Sequence, residues 1–587
     1  MKMETASMTR GDRAFRLVIA IDFGTSRSGY AYAYTDDKRI IGRAEWPGQP
    51  VPYPKTLTHL LYAADGKPVA WGYDARAKLA QLRQNQQAKE FTFLQNFKMQ
   101  LHEGKVQNEN GPVLTNANGR NFLVVDVISD YLSYLKEFAL QEIKDSVAGQ
   151  LREDEVLWCL TVPAIWTNRE KQLMRLAAQR AGLIGSHALE SDRLLLVLEP
   201  EAAAIHCQEK AKIQLGPGTR FMVVDCGGGT VDLTAHEVVT GKGLKEIAAG
   251  TGGAHGSTYI DRGFLEYLNT TLTNRVLECF HNEEPIDYLE MMADWERTKC
   301  NFDPKSSGEV IYFPIRARLY KLLTTKYPDV LKKLAEEQGG ADDSIHLSQA
   351  TMESIFRPVL DGVLSTVREQ LRRLGSQTCD YIFLVGGFST CPLLRQSINS
   401  EFRGVVKEIV VPTVPGGAVV EGAVSFGLDP TKIRARHSRL TYGCRVSERF
   451  RPGIDPENKK FWAKDKADWY CTDRFSMFVR AGQPVGVNEK VPHIYLPIER
   501  EQTKMSLRFY AASKARVNYV DEEGVEPIGE MTADMPNTTG GVDRKLEVSM
   551  FFGKTEIQVE ARDKTSGKQC KTVLRFSSTF SPELIGG

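Results

Sequence analysis

Three times along this chain an apolar run stops at a glycine turn. Leu17-Val18-Ile19-Ala20-Ile21 ends at Asp22-Phe23-Gly24-Thr25-Ser26, Phe221-Met222-Val223-Val224 ends at Asp225-Cys226-Gly227-Gly228-Gly229-Thr230, and Tyr381 through Val385 ends at Gly386-Gly387-Phe388-Ser389. Short apolar runs bounded by glycine predict buried strands. Tyr30, Tyr32 and Tyr34 alternate on a return strand after the first turn, and Val231, Asp232 and Leu233 open one after the second. These two copies of strand, acid, glycine, hydroxyl and return strand predict an internal duplication. Between them the period changes to that of a helix: Val125, Ile128, Tyr131, Leu132 and Leu135 predict a long amphipathic helix over 122–146. The strand Val156–Val162 is stopped by Pro163, and Thr167 with Glu170 three residues on predicts a capped helix running to about Ala181. Val359–Leu374 reads as a helix, Ser389 or Thr390 is expected to cap the helix that Pro392 begins, and Ala423–Gly427 predicts a tightly packed helix of small residues. The prolines of Trp46–Pro54 mark an extended connection. Beyond about residue 430 strand patterns dominate, at 475–479, 506–510, 545–552 and 555–559, predicting a β-rich module of roughly 150 residues.

At 587 residues the chain is too long for one core, so it is multidomain. Lys+Arg of 75 against Asp+Glu of 74 leaves no net field to recruit nucleic acid or an anionic membrane. With no long unbroken apolar run, no membrane span is expected. Met1–Ser7 lacks the apolar core of a signal peptide, which leads to the expectation of a soluble cytoplasmic or nuclear protein with a flexible stretch over 1–15. The ten cysteines are scattered without Cys-x-x-Cys spacing and read as buried free thiols.

The glycine turns carry the candidate chemistry. Gly227, Gly228 and Gly229 remove every Cβ from their turn, so backbone N–H groups can close on an anion: a phosphate cradle. Asp225 and Asp232 flank it, and two carboxylates beside phosphates suit a Mg²⁺ ion that keeps most of its waters. A glycine-rich hairpin with two solvated aspartates is the bland alternative. Glu199, at the end of the apolar run Leu194–Leu198, could orient water or metal; Glu201 reads as a solvated helix-start residue. Glu296 and Lys299 lie three apart on one helical face. Lys98, beside Phe91, Phe93 and Phe97, is by itself a solvated lysine next to an aromatic patch.

Asp22-Phe23-Gly24-Thr25-Ser26, Glu199-Pro200-Glu201-Ala202-Ala203-Ala204, Asp225–Asp232 and Val385-Gly386-Gly387-Phe388 together resemble the nucleotide-binding domain of the seventy-kilodalton heat-shock chaperones, within the actin-like ATPase superfamily. The likeness spans residues 17 to about 428 and is strongest to the divergent class-twelve branch. It implies a duplicated, actin-like (ribonuclease-H-like) α/β fold, with lobe I over 16–205, lobe II over 206–428 and a substrate-binding-like module over 429–587. It also implies ATP or ADP with Mg²⁺ as cofactors. By that resemblance Gly24, Thr25, Ser26, Gly227–Gly229, Thr230 and Asp232 face the phosphates, and Asp22 and Asp225 hold Mg²⁺ through water. Lys98 and Glu199 order the attacking water, Gly256 and Ser257 line the nucleotide sugar and phosphates, Glu296 and Lys299 contact the adenosine, and Gly386, Gly387 and Phe388 belong to the nucleotide-binding set. The sequence departs from the family at Cys300, where a basic residue usually stacks on adenine, at Gly416, usually aspartate, and at Glu201, commonly threonine. The apolar linker of those chaperones is replaced by Lys432-Ile433-Arg434-Ala435-Arg436-His437-Ser438-Arg439, which is expected to bury little against the lobes. The implied function is a slow chaperone-type ATPase whose β module contacts polypeptide clients or signalling proteins. A nucleotide-gated scaffold with little hydrolysis is the alternative, and a small-molecule kinase of the same fold stands behind both.

Overall fold

A computed structural model of the chain describes residues 15–573 apart from 85–86, 88–89, 104–105, 109–110, 116–118, 147–150, 186–191, 211, 307, 488 and 553–556. The flexible stretch expected at the N-terminus therefore lies, but for Phe15, outside the described residues.

The first apolar run is β1 (Leu17–Asp22), wholly buried, with β2 (Arg27–Tyr34) antiparallel beside it so that Asp22 faces Gly29. On the other edge of β1, β3 (Val156–Val162) runs parallel, and β4 (Leu194–Leu198) runs parallel to β3. The second sheet repeats this. β5 (Arg220–Cys226) and β6 (Val231–Val239) form the antiparallel hairpin that sets Asp225 opposite Asp232. β7 (Gly243–Gly253) adds to β6, while β8 (Tyr381–Val385) runs parallel to β5 and β9 (Glu408–Val410) parallel to β8. One antiparallel hairpin followed by two parallel strands, twice, is the predicted duplication in three dimensions.

The helices follow their periodicity. α1 (Val124–Ser146) buries Val125, Ile128, Tyr131, Leu132 and Leu135 against the first sheet. α2 (Asn168–Arg180) starts on the predicted box, with Thr167 N–H donating to Glu170 Oε2 at 2.8 Å and Arg169 N–H to Thr167 Oγ1 at 3.3 Å. α3 (Glu199–Lys210) leaves β4 directly. In the second lobe, α4 (Thr258–Leu272), α5 (Pro285–Asn301) and α6 (Gln349–Arg373) cover the sheet, and α7 (Pro392–Phe402) follows the third glycine turn. The expected cap of α7 is corrected: its N-cap is Cys391. The hydroxyls of Ser389 and Thr390 instead donate to the carbonyls of Gly386 and Gly387, at 2.7 and 2.8 Å, because a tight 3-10 turn brings those acceptors nearer than the helix start.

α8 (Ala418–Leu428) lies with α3 in the apolar layer between the sheets, among Val18, Ala20, Val223 and Val385. The two helices approach so closely that a Cβ on Gly422 would sit 1.8 Å from the Ala202 carbonyl oxygen. Gly422→Ala is therefore expected to force them apart and destabilise the paired lobes by about 1–3 kcal/mol, the usual cost of overpacking a core. A variant that melts with the parent would contradict this contact.

The segment after α8 departs from expectation. Lys432–Arg439 was expected to bury little, yet Ile433–His437 forms β10, parallel to β7, with Ile433 fully buried. The sheet gains this strand through its backbone edge, so a basic sequence docks without an apolar run. The strands that follow β10 are β11 (Thr441–Arg449), β12 (Lys460–Ala463), β13 (Asp468–Val479), β14 (Pro484–Gly486), β15 (Lys490–Tyr495), β16 (Lys504–Ala512), β17 (Val525–Asp534), β18 (Leu546–Phe551), β19 (Gln558–Asp563) and β20 (Gln569–Val573). They form two antiparallel sheets, β12-β13-β11-β16-β17 and β15-β18-β19-β20, around a core that includes Phe509, Val548 and Val559. β14 pairs with β10 instead, so the second lobe's sheet continues into this region.

Candidate functional site

The glycine turns meet the ends of β1, β4 and β5 at a cleft of about 530 Å³ between the lobes. Close approach is what the glycines permit. A Cβ on Gly228 would lie 2.3 Å from Ser26 Oγ, and one on Gly229 2.5 Å from both Thr25 Oγ1 and Met99 Sδ, so the turn of one lobe sits on the hydroxyls of the other. Gly386, at φ +82, leaves only 2.4 Å between a built Cβ and Asp225 Oδ1. The carbonyls of Gly227, Gly228 and Gly229 accept from the N–H groups of Ser257, Thr258 and Gly256 at 3.1, 2.9 and 3.2 Å. This ties the second lobe's next loop beneath the cradle. The Gly227 N–H is itself bound to Thr230 O at 3.0 Å, and that of Gly24 to Ser28 Oγ at 3.1 Å. A ligand would therefore meet the donors further along each turn.

Lys98 lies in a buried 3-10 turn, Phe97–Met99, entered through Asn96 at φ 56. Its Nζ is 2.7 Å from Glu199 Oε1 and within 5.7 and 5.4 Å of the Phe23 and Trp166 ring centroids, which fix the ammonium from the side. Burial pushes the Glu199 carboxyl up to about 7, with Lys98 opposing and Asp22 reinforcing the shift. Burial, and then Glu199, holds Asp225 well above the usual carboxylate range. Asp232 is raised by burial although it accepts from Thr230 and from the Ile165 N–H, at 3.0 Å for the latter. On α5, Lys299 Nζ reaches Asp261 Oδ1 at 2.7 Å, Glu296 Oε2 at 2.5 Å and the Ser257 carbonyl at 3.3 Å, bringing Ser257, Glu296 and Lys299 into one cluster. The third turn contributes Gly386, Gly387 and Phe388 to the wall. Asp232 and Gly256, also predicted for the site, sit behind the lining: Asp232 is only 1% exposed beneath the cradle, and Gly256 supports it from below.

The cleft also holds residues that sequence reasoning missed. Lys55 Nζ is 2.6 Å from Asp22 Oδ2, Arg27 donates to the Tyr73 hydroxyl at 2.9 Å, and the Arg27 guanidinium stacks 5.2 Å from the Tyr53 ring centroid. Tyr53 lies in the proline-rich stretch Trp46–Pro54 and Lys55 directly follows it, where extended backbone is the legible feature and side-chain chemistry is not. Tyr53 also explains the glycine at 416: a Cβ there would lie 2.3 Å from the Tyr53 hydroxyl, so the phenol fills the space a longer side chain would need. Cys300 lines the cleft 3.6 Å from Glu296 Oε1.

Glu201 is a further correction. Instead of standing solvated, it is 1% exposed and accepts from Arg436 Nε and Nη2 at 2.6 and 2.7 Å. Docking of β10 beside α3 places the guanidinium over the helix start, where a carboxylate is also favoured by the helix dipole.

Asp22, Asp225 and Glu199 line the cleft with the glycine turns, yet among the described residues no three His, Cys, Asp or Glu side chains converge as direct metal ligands would. The donor set suits Mg²⁺ held through its waters.

Two duplicated α/β lobes close on a glycine-walled, acid-bearing cleft, the two-lobe actin-like architecture of the Hsp70 family. The family model described as Hsp70 protein matches residues 84–446, and the chain belongs to that family. It is similar to Heat shock 70 kDa protein 12A of Homo sapiens, with 31% identity over 98% of this chain and 93% of that protein. Heat shock 70 kDa protein 12B of Homo sapiens is 29% identical over 96% and 92%. The chaperone protein DnaK of Thermotoga maritima is 24% identical over 77% of this chain and 68% of its own length. The chain fits the divergent class-twelve branch. No described helix is long and apolar enough to cross a membrane.

Proposed function

We propose that this protein binds ATP and ADP with Mg²⁺, hydrolyses ATP slowly, and uses its C-terminal strands to contact polypeptide clients or signalling proteins. The observation that carries the reading is the meeting of Gly228 and Gly229 with Ser26 and Thr25 across the lobes, beside Asp22, Asp225 and the Lys98–Glu199 pair. Gly24, Thr25, Ser26, Gly227–Gly229 and Thr230 enclose the polyphosphate, and Glu296, Lys299, Gly386, Gly387 and Phe388 enclose the nucleoside. Mg²⁺, when bound, neutralises phosphate charge. Glu199 holds a water by its carboxylate, and Lys98 fixes that carboxylate while facing the phosphate end of the cleft.

A nucleotide-gated scaffold with little hydrolysis is the second reading. It is favoured by Tyr53 standing against Gly416 and by Cys300 at the mouth, since both replace polar groups of the resembled family with weaker ones. Single-turnover hydrolysis of ATP separates the two readings. For both, Mg·ATP is expected to give calorimetric heat and raise the melting temperature, because a ligand of the folded state stabilises it by mass action. Neither heat nor a thermal shift at millimolar Mg·ATP would overturn nucleotide binding.

A further inference from the structure

Lys55 is placed deliberately. Its side chain is 12% exposed, and its Nζ lies 2.6 Å from Asp22 Oδ2, while Thr161 Oγ1 donates to the other oxygen of that carboxylate at 3.4 Å. The strap that carries it is anchored at several points. Tyr53 N–H donates to the Ala44 carbonyl at 2.8 Å, and the Tyr53 carbonyl accepts from Trp46 Nε1 at 3.2 Å and Gln49 Nε2 at 3.3 Å. Immediately after Lys55, Thr56 and Leu57 pair with Ser28 and Arg27 of β2. The strap lies so low because Gly29, the residue opposite Asp22, has no Cβ: one built there would meet the Pro54 carbonyl at 2.4 Å and Lys55 Cγ at 3.2 Å. Three prolines, Pro50, Pro52 and Pro54, limit the backbone on the approach.

The charges around it are largely matched already. Lys98 is paired with Glu199, and Lys299 with Asp261 and Glu296. Lys55 forms an ammonium–carboxylate pair with Asp22, 2.6 Å apart. A positive charge thus stands on the carboxylate expected to hold a hydrated divalent ion, within the cleft that the phosphate turns enclose.

Resting on the nucleotide reading above, we propose that Lys55 is a resident cation of the site. Its ammonium binds the ligand's polyphosphate and supplies charge beside Asp22 that a hydrated divalent ion would otherwise supply, so nucleotide binding survives removal of divalent cations. An ammonium is a compact point charge with three donors, suited to bridging one carboxylate and a phosphate oxygen at once.

The test is calorimetric titration of the full chain with ATP, in excess Mg²⁺ and in excess EDTA at matched ionic strength. For the parent protein, Kd in EDTA is expected within about tenfold of that in Mg²⁺. Lys55→Met, which keeps the length and removes the charge, is expected to weaken binding in EDTA by more than about tenfold, and Lys55→Arg to retain it. Melting of the unliganded variants checks that they fold, and the parent comparison stands without them. Parent binding that weakens more than about tenfold in EDTA overturns the role of Lys55 while leaving nucleotide binding intact. Lys55→Met binding as tightly as the parent in EDTA also overturns it. Absence of binding in both conditions overturns the nucleotide reading itself.

Discussion

Arg436→Met is expected to destabilise the protein by about 3–5 kcal/mol, because it leaves the Glu201 carboxylate buried without its partner. The two groups are 235 residues apart and share two hydrogen bonds of 2.6 and 2.7 Å in a region where both are nearly inaccessible. The pair joins α3, which begins with Glu199, to β10, the strand that leads out of the second lobe. Its loss should therefore both lower the first thermal transition and free the segment around Ile433 for proteolysis. The double variant Glu201→Leu/Arg436→Met removes both charges, and since well-packed apolar replacements of buried ion pairs are often neutral, it should recover most of the loss. Equal melting of the single variant and the parent would show that the pair contributes nothing. A double variant as unstable as the single one would show that apolar groups cannot replace this contact.

Lys98→Ala is expected to lower single-turnover ATP hydrolysis by roughly a hundredfold or more while changing ATP affinity less, as befits a group acting mainly on the reacting water and phosphate. The pH profile supplies a second readout. Burial pushes Glu199 up to about 7, so hydrolysis that uses its carboxylate should rise as pH increases through that value. Lys98 favours the ionised form, and without it the rising limb should move to higher pH. The stability linkage has the opposite sense. Because the folded-state value lies above the ordinary 4.5, proton uptake by Glu199 favours the folded protein between about 4.5 and 7, and this contribution fades as pH rises through the window. A variant losing affinity and rate in proportion, with an unmoved pH profile, would reduce Lys98 to an ordinary core cation.

Much of the fold was legible in local pattern. The runs Leu17–Ile21, Phe221–Val224 and Tyr381–Val385 become strands because each is too short for a stable helix, ends at a glycine turn and is rich in β-branched or aromatic residues, so a buried sheet satisfies its backbone. The Thr167–Glu170 box appears at the start of α2 because its partners lie three residues apart. The cap expected for α7 fails for a related reason: Ser389 and Thr390 have nearer acceptors in their own turn.

The candidate site divides in the same way. Asp22, Glu199 and Asp225 were visible because each closes an apolar run, and the glycines because a turn without Cβ atoms has few other uses. Lys55, Tyr53 and Arg27 were not. A lysine after three prolines has no chemical signature until Gly29 lets its strap settle onto β2 and brings the ammonium to Asp22. Glu201 was misread for want of Arg436, and the basic segment around Arg436 was misread because a strand joins a sheet edge through main-chain groups that every residue possesses.

By itself, then, the sequence determined the duplicated strand-turn-strand units, the helices between them and the acids at the strand ends, all set by interactions within a few residues. Only the tertiary structure decided that Ser26 rests on Gly228, that Tyr53 occupies the space beside Gly416, and that Lys55 and Arg436 neutralise Asp22 and Glu201. The physical reason is that a buried charge takes its partner from whichever distant segment the packed lobes bring within about 3 Å, a choice made by the geometry of two sheets and not by any spacing along the chain.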